Sequence, residues 1–240
     1  MAITVNTDFK RASPRLISEF RRLLKQYHSI TPGVSDVMNR LNAMSSDIKP
    51  LWEGIRIVGS ALTVKTIAAD LAPVIRVLDY VKKDDLIVID TGSSKDSAFW
   101  GEMVAYEAQL KGAVGSITDA ACRDVLELKK MSYPTLSAGI AARAAALIGF
   151  GYINVPIQCG GIVVNPGDIV IVDDNGVVCV PQDEAEEVLK KTEAFLAQEM
   201  KIVKRLEAGE SLGKIVNLDA IERALTDPAA VYDKKRHHKK

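Results

Sequence analysis

The sequence predicts an α/β domain with a mixed sheet, and two stretches carry that prediction. Residues 85–118 contain, in order, an apolar run, an amphipathic stretch and a second apolar run: DLIVID, FWGEMVAYEAQLKG and AVGSIT. Such runs are typical of buried parallel strands, and strand, helix, strand is the order of a right-handed parallel unit. Residues 153–181 alternate valine- and isoleucine-rich runs with the turns NPGD and DDNG, which favours short antiparallel strands.

Apolar spacing predicts the remaining elements. A β-branched run predicts a strand at 55–67, and a turn followed by a short helix is predicted at 31–41, with Thr31 or Ser35 as a possible cap. The stretches with helical spacing are 14–29, 72–83, 99–112, 123–131 and 183–208.

The helix predicted at 99–112 has a clear apolar stripe. Phe99, Met103, Tyr106 and Leu110 recur at spacings of four, three and four residues. This spacing is typical of an amphipathic helix.

The charge balance argues against a nucleic-acid-binding protein. Lysine plus arginine and aspartate plus glutamate each number 31 among 240 residues, whereas nucleic-acid binders usually carry a basic excess. The one basic cluster, DKKRHHKK, predicts that residues 226–240 are a solvated, disordered tail. With 48% hydrophobic residues overall, the chain can bury a large core, and residues 1–225 are predicted to form a single domain.

Cysteine and histidine usage excludes several catalytic classes. The three cysteines include no CxxC pair, which argues against zinc-ribbon and thioredoxin chemistry and favours a reducing cytoplasm. Outside the tail the only histidine is His28, so a Ser-His-Asp triad or a multi-histidine zinc site is hard to build. No signal peptide is visible, and no run approaches the roughly 18 apolar residues of a membrane span. We therefore expect a cytoplasmic protein with no membrane partner.

Two loops are predicted to meet at one edge of the sheet. Both strands of a parallel unit end at the same edge, where open α/β sheets usually bind ligands. The loop 91–101 should therefore lie beside residues 119–123, although 20 residues separate Glu102 from Arg123 along the chain.

The residues at that edge suit an anion and a hard metal. Helix starts leave backbone amides unpaired, so the amides of Gly101, Glu102 and Met103 could hold a carboxylate or phosphate. Arg123 offers a planar fork for a second carboxylate oxygen or an enolate. Asp124 and Glu102 supply the oxygen ligands that Mg²⁺ or Mn²⁺ prefers. The alternative is an ordinary helix-start aspartate beside a surface arginine.

The predicted long helix places a carboxylate on an apolar stripe. Glu199 lies in a series at alternating spacings of three and four: Ala185, Val188, Thr192, Phe195, Glu199, Ile202 and Leu206. Burial there would raise the pKa of Glu199 and suit it to carry a proton. The alternative is a glutamate at the edge of the stripe that reaches solvent or pairs with a lysine.

At these residues the sequence resembles a known family. The stretch WGEMVAYEAQLKGAVGSITDAACRDVLEL resembles the family that contains the 4-hydroxy-4-methyl-2-oxoglutarate aldolases and the RraA-type regulators of ribonuclease E activity. The Arg-Asp pair and the block PxQxGGxxVxPGDxVxxDxxGVxxVP are specific to that family. The resemblance covers roughly residues 30–213, with support from VSDVMNRL, IVGSALTVK, LIVIDTG and KRLEAGESL.

The resemblance implies a fold, an assembly and a cofactor. The fold would be a single-domain α/β sandwich with a mixed sheet and a swivelling-type β/β/α core, as in RraA. The chain would assemble as a homotrimer or a homohexamer with its sites between subunits. The activity would be that of a class II pyruvate aldolase that depends on a divalent cation, Mg²⁺ or Mn²⁺.

The resemblance also implies residue roles. Arg123 stands at the position of the substrate-binding arginine and Asp124 at that of the metal-binding aspartate. The first motif position is Glu102 where the family has aspartate, which lengthens the carboxylate by one methylene. Gly101 to Met103 align with the amides that hold the pyruvyl carboxylate. Glu199 aligns with a glutamate that a neighbouring subunit contributes to proton transfer.

The expected reaction is cleavage of a 4-hydroxy-2-oxo diacid, such as 4-hydroxy-4-methyl-2-oxoglutarate, to pyruvate and a second oxo acid. Oxaloacetate decarboxylation would be a side activity. The alternative is an RraA-type regulatory protein that binds an RNA-processing enzyme without catalysis. Since RraA-type members are expected to lack the last glutamate, Glu199 favours the enzyme.

Overall fold

The computed structural model describes residues 2–226, which fall into two compact units. The first unit ends at Glu193 and the second begins at Ala194. The single domain expected over residues 1–225 stays a prediction. From residue 227 onward, the predicted tail lies outside the described residues.

Residues 2–226 form twelve strands and eight α-helices. The strands are β1 (Thr4–Val5), β2 (Lys49–Pro50), β3 (Ile57–Thr66), β4 (Asp85–Asp90), β5 (Ala98–Trp100), β6 (Gly115–Cys122), β7 (Thr135–Ile140), β8 (Gly151–Ile153), β9 (Ile157–Cys159), β10 (Ile162–Val164), β11 (Ile169–Asp173) and β12 (Gly176–Val180). The helices are α1 (Pro14–Tyr27), α2 (Thr31–Val37), α3 (Ala72–Arg76), α4 (Glu102–Leu110), α5 (Val125–Lys130), α6 (Ala185–Glu207), α7 (Leu212–Ile215) and α8 (Leu218–Thr226). No helix in this part of the chain has the length and hydropathy of a membrane span.

The central sheet is mixed, as predicted. Its main path runs β1-β8-β3-β4-β6-β7-β2. The strands β3, β4, β6 and β7 are parallel to one another, which confirms the parallel unit predicted from residues 85–118. The strands β11 and β12 form an antiparallel pair, and β11 joins the sheet antiparallel to β3. The turn-rich stretch therefore supplies antiparallel strands, as expected.

The middle of the sheet is covered on both faces. All six residues of β4 are buried. Ile87 and Ile89 pack into one apolar cluster, whereas Leu86 and Val88 pack into another. Because successive side chains of a strand point to opposite faces, these are two separate layers of core. This explains why the strand reads as a continuous apolar run rather than an alternating one.

The helix predicted at residues 99–112 is present but shorter, and its apolar stripe does not face the core. Phe99 is buried but belongs to β5, and the helix begins only at Glu102. Met103, Tyr106 and Leu110 are 70%, 55% and 73% exposed. The buried residues of α4 are instead two alanines, Ala105 and Ala108. Apolar spacing reveals a stripe, but small side chains let the opposite face of this helix pack closely against its neighbours.

The cap predicted for α2 was wrong. Neither Thr31 nor Ser35 caps the helix, whose preceding residue is Ile30. The Asp173 carboxylate, at the end of β11, accepts hydrogen bonds from the amides of Ile30 and Thr31 at 2.8 and 2.9 Å. A carboxylate distant in sequence therefore satisfies the start of this helix.

Candidate active site

A strap of chain, residues 91–101, connects the end of β4 to the start of α4 and lies along β6. Within it, β5 pairs in parallel with β6 through Ala98 opposite Ala121 and Trp100 opposite Cys122. The Trp100 carbonyl also accepts a hydrogen bond from the Arg123 amide at 2.9 Å. The two loops predicted to neighbour each other at this edge therefore do meet.

The Asp124 carboxylate binds the first turn of α4. Its Oδ2 accepts a hydrogen bond from the amide of Glu102 at 3.0 Å. Asp124 itself directly precedes α5 and has a left-handed backbone, with φ 58° and ψ 40°. This conformation lets a residue at the start of one helix cap the other. The amide of Glu102, predicted to hold substrate, is thus engaged by Asp124.

Steric crowding, and not the backbone conformation, requires a glycine at position 101. Its φ of −169° is extended and open to any residue. A Cβ atom at this position would lie 2.6 Å from Asp124 Oδ2 and 3.1 Å from Arg123 Cγ. Only glycine therefore allows the strap to approach the Arg-Asp pair this closely.

The Arg123 guanidinium lies beside Asp124 but does not form a close ion pair with it. Its Nε is 3.5 Å from Asp124 Oδ2, and 46% of its side-chain surface is exposed. This distance exceeds that of a charge-assisted hydrogen bond. The planar fork is therefore available to an external carboxylate or enolate.

These residues line one small pocket. Its lining comprises Leu71, Ala98, Phe99, Trp100, Gly101, Met103, Val104, Arg123, Asp124 and Ala144. The cavity measures ≈ 40 Å³, whereas small-molecule sites usually occupy about 300–1,000 Å³. Larger concavities of the first unit, ≈ 530 to ≈ 700 Å³, contain none of the predicted site residues. The pocket of a single chain is therefore well below the usual size of a small-molecule site.

The sequence places Asp119 near the site but does not indicate a role for it. The strand predicted to end at residue 118 continues to Cys122, so Asp119 lies inside β6 and is 3% exposed. Its carboxylate accepts hydrogen bonds from Thr91 and Ser93. In the sequence, Asp119 is recognisable as a charged residue within a run of small, apolar residues. A carboxylate buried in such a run requires hydrogen-bond donors nearby.

Cys122 is a packing residue. It is buried, and its Sγ lies 3.3 Å from the Ser137 hydroxyl. Burial raises the pKa of its thiol, which is the opposite of an activated nucleophile. Both observations argue against a reactive thiol at Cys122.

The two predicted glutamates differ in setting. Glu102 is half-buried at the first position of α4. Glu199 lies on α6 in the second unit and is exposed. The stripe containing it is buried at Ala185 and Thr192 but exposed by Leu206. The part of the stripe around Glu199 is therefore open to solvent in a single chain.

The chain resembles known proteins in sequence and in fold. The RraA-like family model, described as Aldolase/RraA, matches residues 31–179, more than half of the chain. The chain belongs to the RraA-like family. The family predicted from the Arg-Asp motif and the glycine-rich block is thereby confirmed.

Relatives in this family carry two kinds of name. A protein of Halalkalibacterium halodurans, provisionally named 4-hydroxy-4-methyl-2-oxoglutarate aldolase, is 35% identical over 70% of this chain and 80% of its own. A solved structure of an uncharacterised protein from Pseudomonas syringae covers 86% of this chain and 98% of its own, with TM-score 0.72 and 25% identity. The RNA-processing inhibitor RraA from Thermus thermophilus covers 64% and 93%, with TM-score 0.59 and 27% identity.

The donor chemistry of this RraA-like site fits a hard divalent ion. The Glu102 amide orients the Asp124 carboxylate, and 36% of that side chain remains exposed. Residues 2–226 contain no cluster of three histidine, cysteine, aspartate or glutamate side chains that could hold a metal. Mg²⁺ nevertheless commonly binds through one or two carboxylates, with waters and substrate oxygens completing its shell. Asp124 could therefore hold such an ion directly.

Gly101→Ala should displace the Asp124 carboxylate, because the added Cβ would lie 2.6 Å from Oδ2. We expect faster hydrogen exchange at the Glu102 amide, measured by NMR or mass spectrometry. Gly139→Ala is the matched control, since a Cβ there would meet only Ala121 Cβ at an ordinary 3.8 Å. Equal exchange at Glu102 in both variants would show that the strap has room to spare.

Proposed function

We propose that this protein is a divalent-metal-dependent lyase that cleaves 4-hydroxy-2-oxo diacids, such as 4-hydroxy-4-methyl-2-oxoglutarate, to pyruvate and a second oxo acid. The observation that carries the proposal is the Arg123–Asp124 pair held against the first turn of α4. The chain's RraA-like family and its aldolase-named relative support the same reaction class.

In this proposal, Arg123 and α4 bind the pyruvyl end of the substrate. The fork of Arg123 holds a carboxylate or enolate oxygen through charge-assisted hydrogen bonds. Since Asp124 engages the amide of Glu102, the amide of Met103 and the positive end of the helix remain for the substrate. These contacts orient the C3–C4 bond for cleavage.

The chemistry divides between a cation and two carboxylates. A divalent ion held by Asp124, Mg²⁺ or Mn²⁺, would polarise the 2-oxo group as a Lewis acid. Glu102 and Glu199 position a water or hydroxide that removes the proton of the 4-hydroxyl. The C3–C4 electrons then pass to the pyruvate enolate, whose charge Arg123 stabilises. Decarboxylation of oxaloacetate gives CO₂ and the same enolate, and this reaction has no hydroxyl proton to remove.

We propose further that a neighbouring subunit completes the site in a homotrimer or homohexamer. The pocket of one chain, ≈ 40 Å³, is too small for a diacid. Met103 and Tyr106, next to it on α4, expose apolar side chains that a monomer would normally bury. Such a subunit would bring its own Glu199 to the Arg-Asp pair.

The second candidate is an RraA-type regulator that binds an RNA-processing enzyme. The structural likeness to the Thermus thermophilus RNA-processing inhibitor RraA favours it. The exposed Met103, Tyr106 and Leu110 could serve that partner instead of a second copy. Glu199 is the residue by which the two candidates differ.

The decisive experiment is a lactate-dehydrogenase-coupled assay for pyruvate, with hydroxy-oxo diacids and oxaloacetate as substrates. Activity should require Mg²⁺ or Mn²⁺, disappear in EDTA and return with added metal. Asp124→Ala should abolish it while a cooperative thermal transition remains. Turnover that survives EDTA would contradict metal dependence, and no turnover with any substrate or metal would favour the RraA-type regulator.

Arg123→Lys should lower kcat/KM by about 10² to 10³, because a point charge cannot reproduce a two-pronged contact. The assay is the same, with substrate varied to separate kcat from KM. Arg56→Lys is a matched control, since Arg56 is exposed and lies outside the pocket. Near-normal kinetics for Arg123→Lys would show that the arginine only attracts substrate electrostatically.

Glu199→Gln should separate the two activities. Removal of a general base costs about 10² to 10⁴ in rate, so aldol cleavage should fall steeply while oxaloacetate decarboxylation falls less. Glu207→Gln, an exposed change on the same helix, should leave both unchanged.

The same variant tests the shared site. Mixing inactive Arg123→Ala and Glu199→Gln subunits under exchange conditions should restore some cleavage, because a hybrid interface can carry one intact site. Equal losses of both activities, with no recovery on mixing, would make Glu199 a stability residue.

A further inference from the structure

We infer that Asp119 is a positioning residue that holds the two halves of the site in register. One half, Arg123 and Asp124, follows β6; the other consists of Gly101, at the end of the strap, and the first turn of α4. Asp119 ties the beginning of the strap to β6. As a statement about catalysis, the inference rests on the proposed lyase function; as a statement about structure, it can be tested alone.

Four hydrogen bonds connect Asp119 to the strap. Oδ1 accepts from the amide and the hydroxyl of Thr91, at 2.8 and 2.9 Å. Oδ2 accepts from the amide of Ser93 at 2.8 Å and lies 3.4 Å from its hydroxyl. Both oxygens of the carboxylate are therefore engaged by the first three residues of the strap.

The conformation of the strap depends on such an anchor. Gly92 and Ser93 have φ angles of 70° and 63°, and a left-handed backbone is unfavourable at a residue other than glycine. The amides of Thr91 and Ser93 converge on one carboxylate, as in the anion-binding concavities formed by successive backbone amides. The Asp119 carboxylate accepts from the amides on both sides of Gly92 and thereby favours this path of the strap.

Burial of the Asp119 carboxylate is energetically unfavourable, and its hydrogen bonds offset this desolvation penalty. It is 3% exposed, and burial, with a further contribution from Asp90, raises the pKa of its carboxyl group. A buried charge persists only when its hydrogen bonds compensate. Asp90 is itself tied to the strap, since its Oδ1 accepts from the amide of Gly92 at 3.0 Å.

Displacement at the beginning of the strap would reach the Arg-Asp pair. From Thr91 to Glu102 the chain is attached to β6 and to the residues that follow β6 at three successive levels: the Asp119 carboxylate, the β5–β6 pairing and the Asp124 carboxylate. At the last level, Gly101 leaves no room for even one methyl group. Small movements of the strap must therefore move Asp124 or break its bond to Glu102.

The test begins with hydrogen exchange in Asp119→Asn. An asparagine has the same shape, but its NH₂ group would face the amide of either Thr91 or Ser93. Amides 91–102 should exchange at least about tenfold faster than in the wild type, while those of β3 stay protected. Asp168→Asn is the matched control, because Asp168 is also a buried carboxylate, 5% exposed, that accepts a backbone amide, at 2.8 Å from Asn165. Unchanged exchange at 91–102 would overturn the inference, whether or not the protein is a lyase.

The second readout is kinetic. A displacement of about 1 Å in a catalytic group can cost about 10²-fold, so Asp119→Asn should lower kcat for pyruvate release by one to two orders of magnitude. Asp168→Asn should lose stability without that loss of kcat. The milder Thr91→Val removes the 2.9 Å hydroxyl bond to Asp119 and the 3.2 Å bond that the Thr91 hydroxyl accepts from the Ser94 amide. Because both backbone-amide bonds to Asp119 remain, it should lower kcat only severalfold, which keeps the test usable if Asp119→Asn does not fold.

The outcomes separate the two claims. An inactive wild type with accelerated exchange in Asp119→Asn would reject the lyase and retain Asp119 as the anchor of the strap. An active wild type whose kcat is unchanged in both Asp119→Asn and Thr91→Val would retain the lyase and reject the positioning role.

Discussion

The site depends on one hydrogen bond, between the Glu102 amide and the Asp124 carboxylate, in a sterically crowded position. This bond joins the first residue of α4 to the residue that precedes α5, 22 positions further along the chain. The absence of a side chain at Gly101 permits the contact. The β5–β6 pairing and the hydrogen bonds to the Asp119 carboxylate attach the preceding residues of the strap to β6 at the same edge of the sheet.

Much of this architecture could be predicted from the sequence because it follows from apolar runs and chain order. A buried strand such as β4 reads as an unbroken apolar run, and a parallel unit must end both strands at one edge. The proximity of Glu102 to Arg123 and Asp124 follows from these two facts. The roles assigned to Glu102 and Glu199 came from resemblance to a family and stay predictions.

The features that escaped prediction depend on packing between distant segments. The side of α4 that packs inward is set by the space its neighbours leave, which two alanines fit and Tyr106 does not. The start of α2 is satisfied by Asp173, a residue more than 140 positions away. Asp119 was visible as a charge in a small, apolar stretch, but its partners in the strap could be identified only from coordinates.

The left-handed backbone of Asp124 restricts which substitutions evolution can sample there. Aspartate and asparagine tolerate a φ near 58° better than longer side chains do, and asparagine forfeits the negative charge. Exchange of aspartate for glutamate, ordinarily among the mildest of changes, is therefore disfavoured at 124. It is permitted at 102, where the backbone is helical and this chain carries glutamate. Two acidic positions of one motif thus differ in mutational freedom because one backbone is strained and the other is not.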